Sequence, residues 1–287
     1  MPDRFESPPL PAFTPDVSLF RELPSAPGVY RFHGEDDALL YVGKSINILE
    51  RVKSHFSARH RDRREHRMTW LTRRISFTET AGEIGALLLE NHEIKTRLPL
   101  FNRRQRRARQ LYTWRLQQDG EWLRPQLSQP LAESNPWQQT GFGVFRSPHH
   151  ARQMLEALAK QHQLCRKMLL LESGSGPCFA RQLRRCAGAC CAAESAAEHN
   201  QRLLAAMSAH RIEAWPHDSA LIFTERSAQT ERCDYHVVDQ WRWLGSATTR
   251  AEAERLIGNT AGGQFDLDSY RILLRALSAS GAIKMAP

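Results

Sequence analysis

Long apolar runs are missing from this 287-residue chain: nothing approaches the roughly 18 consecutive apolar residues of a membrane span. The first residues, Met1-Pro2-Asp3-Arg4-Phe5-Glu6-Ser7-Pro8-Pro9, have no apolar stretch and so do not resemble a secretory leader. A cytoplasmic location is the expectation, where thiols stay reduced. There is no fixed-period repeat, which sets aside solenoids. The composition, 41% apolar and 25% charged, sets aside wholesale disorder, collagen and a coiled-coil rod. Acidic residues are the minority charge: 31 Asp+Glu stand against 40 Lys+Arg, a formal net charge of +9.

The basic residues are clustered. From Arg51 to Arg74 there are nine Lys or Arg and only two acids, Asp62 and Glu65; residues 103–109 read Arg-Arg-Gln-Arg-Arg-Ala-Arg. One such cluster is commonly a solvated face. Two clusters flanking one compact segment favour a polyanion, bound with release of counterions and sensitive to salt. Lys53, Arg103, Arg104, Arg106 and Arg107 are the candidate DNA contacts.

The length suits two modest domains, or one with appendages, and the sequence divides into five segments. Residues 1–23, with five prolines, read as an N-terminal arm. Residues 24–102 read as a small α/β unit. Gly28-Val29-Tyr30-Arg31-Phe32 and Ala38-Leu39-Leu40-Tyr41-Val42 are strand-like runs around the turn Gly34-Glu35-Asp36-Asp37, which predicts an antiparallel hairpin closed at Gly43. A helix is expected to follow to about Phe56, with Lys44, Asn47, Arg51 and His55 on one face. Ile75–Thr78 is a third strand. A helix from about Thr80 to Arg97 opens on a Thr80/Glu83 capping box, stops at Leu98-Pro99, and has Glu90 beside its apolar stripe. Residues 103–135 read as a basic linker, 136–195 as a cysteine-rich module, and 196–287 as a mixed α+β region of open role. The fold class is therefore α+β, beginning with a three-stranded, mainly antiparallel sheet and flanking helices.

Taken singly, a strand tyrosine, a basic helix face and a helix-edge glutamate have ordinary structural readings. Together, Pro27-Gly28-Val29-Tyr30, Leu40-Tyr41-Val42-Gly43-Lys44-Ser45-x-Asn47, Arg51, Glu90-Asn91-x-Glu93-Ile94-Lys95 and Phe101-Asn102 resemble the GIY-YIG endonucleases. Within them the segment is most similar to the N-terminal nuclease half of the excision-repair subunit UvrC, and the length suits the shorter Cho-type homologues. The resemblance implies one divalent cation, Mg²⁺ or Mn²⁺, held by Glu90, which suits a hard cation with few protein ligands. It further implies Tyr41 as the base toward water, Arg51 on the phosphate, Tyr30 as orienting hydroxyl, Lys44 as nearby positive charge, and Asn102 as the tie between helix and hairpin. His55 departs from the pattern, which has tyrosine there. The implied activity is a single excinuclease incision on the 3′ side of a lesion in double-stranded damaged DNA, directed by UvrB with UvrA acting upstream. The competing readings are a non-enzymatic DNA-binding adaptor on the same scaffold and a GIY-YIG nuclease of another branch.

Cys165, Cys178, Cys186 and Cys190 lie within 26 residues, interleaved with arginines. Scattered cytosolic cysteines are small buried hydrophobes, but four at this density point to a thiolate-held metal, zinc or an iron–sulfur cluster. The resemblance to UvrC implies a [4Fe–4S] cluster, with zinc as second choice. Cys191 and Cys233 have no counterpart and are read as bystanders.

Overall fold

The structure, a computed structural model, describes residues 16–57, 63–102, 111–129, 140–212, 215–258 and 265–279. The chain divides into two compact units, one of residues 1–107 with 217–282 and the other centred on residues 108–216. Among the described residues there are three antiparallel three-stranded sheets and eight α-helices. No helix of the described residues is long and apolar enough to cross a membrane.

The first unit starts with a sheet in the order β2-β1-β3, of β1 (Gly28–His33), β2 (Leu39–Ser45) and β3 (Arg74–Glu79). Alternation along β1 decides what each face meets. Tyr30 and Phe32 pack with Ile48, Val52 and Phe56 of α1 (Ile48–Phe56). Val29 joins Val42 and Ile94 of α3 (Glu83–Arg97) on the opposite face. Arg31 shares that second face, where its Nε donates to Glu93 Oε2 at 2.5 Å and its Nη2 pairs with Oε1. Both residues are buried, so the paired fork satisfies charges that would be costly alone. Helix α2 (Arg63–Leu71) contributes Met68 to the α1-side core.

Several sequence expectations change here. β2 runs on through Gly43, Lys44 and Ser45, so Lys44 is a strand residue and does not share a helix face with Arg51. Asn47 is the N-cap of α1, its side chain accepting from the Glu50 N–H at 3.0 Å; an amide oxygen next to free N–H groups is worth more there than on the helix face. The Thr80/Glu83 capping box does not form: Gly82 is the N-cap of α3, and Thr80 Oγ1 donates to the Gly82 carbonyl. Leu98 ends α3 in a left-handed conformation, as Leu98-Pro99 implied. Of the arm assigned to residues 1–23, the described end is part of the core, with Leu19, Phe20 and Leu23 packed on the α1 side.

The same unit is completed by a second sheet, β7-β8-β9 (Leu221–Arg226, Cys233–Asp239, Arg242–Ala247), with helices α7 (Arg250–Leu256) and α8 (Leu267–Ala279). β8 and β9 pair antiparallel as a hairpin.

The second unit corrects the expected linker and module boundaries. Residues 112–128 are a hairpin, β4 (Tyr112–Asp119) and β5 (Trp122–Ser128), turning at Gly120-Glu121 and joined by β6 (Phe142–Phe145) in the order β5-β4-β6. The Arg and Gln content of this stretch masks its period-two pattern, in which Trp114 is buried and gives its indole N–H to the Ala151 carbonyl at 2.9 Å. Helix α4 (Pro148–Gln161) and helix α6 (Ala196–Ser208) pack on the same core through Leu155, Leu158, Leu203 and Met207. A boundary at residue 195 therefore cuts through a packed core. Helix α5 is a single turn, Phe179–Gln182.

Candidate active site

Tyr30, Tyr41, Arg51 and Glu90 are contributed by β1, β2, α1 and α3. The Tyr30 and Tyr41 rings are 6.1 Å apart between centroids. Glycine at position 43 is a steric requirement, because a Cβ there would lie 2.5 Å from the Tyr30 hydroxyl and 2.8 Å from Cε1 of Tyr41. Tyr41, Arg51 and His55 line a cavity of about 230 Å³ with Arg64, Glu65, Met68 and Phe101.

Burial raises both phenols, Tyr30 strongly. For Tyr41, the Glu90 charge adds to the rise and Arg51 opposes it. For Tyr30, the neighbouring Tyr41 adds and Arg51 opposes. Burial also raises Glu90, against the N–H of Lys44 and the charges of Lys44 and Arg51. The Lys44 N–H donates to Glu90 Oε1 at 3.1 Å, while the Lys44 ammonium reaches Glu83 at 2.5 Å. Lys44 thus holds Glu90 by its backbone, and its side chain is paired elsewhere. A half-buried carboxylate whose ionised form is disfavoured by desolvation fits a divalent cation, which restores the missing positive charge.

His55 is buried and bonded on both sides, its Nε2 to the Tyr30 hydroxyl at 2.7 Å and its Nδ1 to Glu65 Oε1 at 2.7 Å. With the Glu65 carboxylate accepting from Nδ1, Nε2 is free to accept from the phenol. Sequence reasoning missed Glu65 and Arg64. The available signal was Glu65 itself, one of only two acids in the basic run from Arg51 to Arg74. Asn102 clasps β2 in the register expected of it: its Oδ1 accepts from the Val42 N–H at 3.0 Å and its Nδ2 donates to the Val42 carbonyl at 2.9 Å. Lys53 is exposed on α1. Arg103, Arg104, Arg106 and Arg107 lie outside the described residues.

In the second unit the structure brings Cys165, Cys178, Cys186 and Cys190 together, their Sγ atoms all within 4.8 Å of one another. The first three are buried, and Trp122, Met168 and Ala180 pack around them. Burial pushes the Cys165 thiol up to about 11 and raises Cys186 as well. Cys178 is held below its usual value: burial works against this, but the Arg181 N–H and the neighbouring thiols outweigh it. Cys191 is exposed and Cys233 sits in β8, apart from the cluster. His199, which sequence reasoning did not single out, is fully buried and accepts the Cys165 N–H on Nε2 at 3.2 Å. Four sulfurs this close suit a metal: around one tetrahedral zinc, with Zn–S near 2.3 Å, they would be roughly 3.8 Å apart.

Known proteins share this organisation from one module to the next. Residues 26–103 match the UvrC-like GIY-YIG domain, 111–209 the UvrC/Cho excinuclease middle domain, and 220–287 the excinuclease Cho C-terminal domain. The chain is 41% identical over 265 residues to Excinuclease cho of Escherichia coli (strain K12) and to that of Shigella flexneri, covering 91% of this chain and 85% of each relative. It is 36% identical over 174 residues to UvrABC system protein C of Maricaulis maris, covering 59% of this chain and 26% of that protein. Among solved structures, it is similar to the GIY-YIG N-terminal endonuclease domain of UvrC from Thermotoga maritima bound to magnesium, with 24% identity, a TM-score of 0.27, and coverage of 30% of this chain and 92% of that one. The order of matched modules and the likeness along nearly the whole chain place it in the UvrC/Cho excinuclease family, as an endonuclease of DNA repair.

Proposed function

We propose that this excinuclease makes one metal-dependent incision on the 3′ side of a lesion in duplex DNA, at a site marked by UvrB. The observation that carries the chemistry is the meeting of two phenols, a guanidinium and a carboxylate from four separate elements, close enough that Arg51 and Glu90 act electrostatically on both Tyr30 and Tyr41. A silent DNA-binding scaffold has no use for two desolvated phenols beside a half-buried carboxylate whose ionised form burial disfavours.

Glu90 holds the divalent cation, Mg²⁺ or Mn²⁺, with the Lys44 N–H fixing the carboxylate from behind. When bound, such a cation supplies Lewis acidity at the leaving 3′ oxygen and positive charge beside Tyr41. Tyr41 accepts the proton of the attacking water. The protein alone keeps this phenol protonated, so its role as a base depends on added positive charge. Arg51, at the rim of the cavity, stabilises the crowded phosphate. Tyr30 orients the reacting groups through its hydroxyl. His55 fixes Tyr30 through its Nε2, with Glu65 fixing His55 in turn. Asn102 keeps β2, and therefore Tyr41, in place. Lys53 and the arginines at 103, 104, 106 and 107 supply backbone affinity that carries no sequence preference.

The cysteine cluster is a structural metal centre. Resemblance to UvrC favours a [4Fe–4S] cluster. The mutual closeness of the sulfurs favours zinc, because a four-iron cluster interposes its own irons and sulfides and spreads its ligands further than one ion does. A brown protein with cluster absorbance decides for iron, and a colourless one with stoichiometric zinc decides for zinc.

An end-labelled duplex carrying one lesion tests the main reading. Nicking is expected on the 3′ side, dependent on UvrA, UvrB and Mg²⁺, and abolished by Glu90→Ala with DNA binding retained. A cut on the 5′ side, or equal cutting without UvrB, would remove the assignment.

A further inference from the structure

Helix α3 carries Glu90 but has no cap of its own. Its first turn is served by a residue more than a hundred positions away: the N–H groups of Ile84 and Gly85 donate to the two oxygens of Glu225 in β7, at 2.8 and 2.9 Å. The Ala81 N–H, just ahead of the helix, donates to Asp234 Oδ2 in β8 at 2.7 Å. These acceptors are themselves held. The fully buried His236 lies 3.2 Å from Glu225 through Nε2 and bonds Ser246 Oγ through Nδ1 at 2.6 Å; Arg232 Nε donates to Asp234 at 3.0 Å.

The sequence of α3 is shaped to admit this carboxylate. A Cβ at position 82 would lie 2.4 Å from Glu225 Oε1, and one at position 85 would lie 3.0 Å from the His236 ring and 3.2 Å from Glu225 Oε2. A glycine inside the first turn, at position 85, costs the helix some of its own stability, and here Gly82 and Gly85 leave the space that the carboxylate fills. Just past the middle of the helix, Asn91 Nδ2 donates to both oxygens of Asp266 at 3.1 Å and to Ser269 Oγ at 2.8 Å. The Lys95 ammonium pairs with Asp266 and reaches Asp268 at 3.0 Å. Residues 217–282 therefore grip α3 at its start and again at Asn91, the residue next to Glu90.

We propose that residues 217–282 are a working part of the nuclease, in which Glu225 caps α3 and Asp266 with Ser269 anchors Asn91, so that this module sets the affinity of Glu90 for its divalent cation. This rests on Glu90 as the metal ligand. Glu225 is a positioning residue; it touches neither DNA nor cation. The helix rises about 1.5 Å per residue, so a slip of one residue takes Glu90 out of reach of the Lys44 N–H that fixes it. Negative charge at the N-terminus of α3 also complements the helix dipole. Without it, buried N–H groups are left without an acceptor, and the helix recovers them only by shifting.

Mn²⁺ binding to the full-length protein, read by the loss of the free-ion EPR signal, tests this apart from activity. Glu225→Ala is expected to weaken Mn²⁺ binding about tenfold, the order seen when a group that orients a metal ligand is lost. The Mn²⁺ concentration for half-maximal nicking should rise by the same factor, with DNA affinity unchanged. Glu225→Gln, which keeps one acceptor oxygen and the shape, should fold normally and lose less. Thr249→Ala removes an equivalent cap from α7, where Thr249 and Glu252 form a capping box, and should lower the melting temperature while leaving Mn²⁺ binding as in the wild type. Unchanged binding in both Glu225 variants overturns the proposal, as does an equal loss in Thr249→Ala. Glu90→Ala separates the two levels: if it binds Mn²⁺ normally the reading of Glu90 fails, and if it loses the ion while the Glu225 variants keep it only the present inference fails.

Discussion

The nuclease residues Tyr30, Tyr41, Arg51 and Glu90 stand on two strands and two helices, and backbone-directed bonds from Lys44, Asn102 and Glu225 fix the elements that carry them. The four clustered cysteines stand on loops and one helical turn, in a region with little regular structure. One site is ordered by the polypeptide before any ion arrives. The other is tied by loop hydrogen bonds, such as those of Arg181 to the Cys186 and Ala187 carbonyls, and by Trp122, Met168 and Ala180 around thiols that lack a regular framework, so a large part of its order should come from what the sulfurs bind. The first can release its cation and keep its shape, as a catalytic site needs; the second should collapse when emptied.

The strongest way to break this comparison is to empty the cysteine site. Cys178→Ser combined with Cys186→Ser should remove the metal and abolish cooperative melting of residues 108–216, since structural zinc is worth roughly 10–16 kcal/mol of apparent binding energy. The unit carrying the nuclease should still melt cooperatively by calorimetry. Simultaneous loss of both transitions would show that the two regions are not ordered independently.

Tyr41→Phe sharpens the other half. It removes a hydroxyl without disturbing the ring packing, so nicking should fall by roughly 10²–10⁴ while the melting temperature hardly moves. A mutant that both cuts at full rate and melts normally leaves Tyr41 without a chemical role.

Arg31→Met tests whether the nuclease unit is held by its own contacts. Glu93 would remain buried with its principal partner gone, an expected loss of about 3–5 kcal/mol in urea unfolding, unaffected by Mg²⁺. A change under about 1 kcal/mol would mean that the pair behaves as a surface bridge.

The smallest effect concerns Glu90 and pH. Its folded value is raised by burial, so the ionised carboxylate lowers stability above that value and the penalty vanishes below its unfolded range. In EDTA, Glu90→Gln should therefore melt higher than the wild type near pH 8, and the gap should close as the pH falls toward 4. A gap independent of pH would indicate that packing, not charge, separates the two.

Much of this architecture is visible in local patterns. Val29, Tyr30, Arg31 and Phe32 alternate as a strand must; Leu98-Pro99 ends a helix by sterics; the close spacing of the cysteines marks a shared site. Features that depend on distant residues are not visible in that way. Asn47 scans equally well as a helix-face residue or as a cap, and only the continuation of β2 through Ser45 decides between them. Thr80 and Glu83 have capping-box spacing, yet a carboxylate from β7 occupies the position. The hairpin at 112–128 is hidden because its outward residues are arginine and glutamine, so composition suggests a linker where alternation gives a strand. Glu65 joins the site only because α2 folds back over α1, a matter of packing that no local pattern contains.

The nuclease unit is assembled from both ends of the polypeptide, with the middle unit interposed. Translation meets these parts in a fixed order. A ribosome that has released the first hundred or so residues has produced the sheet and the phenols, but not the carboxylates of β7, β8 and the start of α8 that hold helix α3. Those contacts close over a long loop and form late. An endonuclease of DNA repair thus gains its complete cutting geometry only after the middle unit and the strands and helices that follow it have been made.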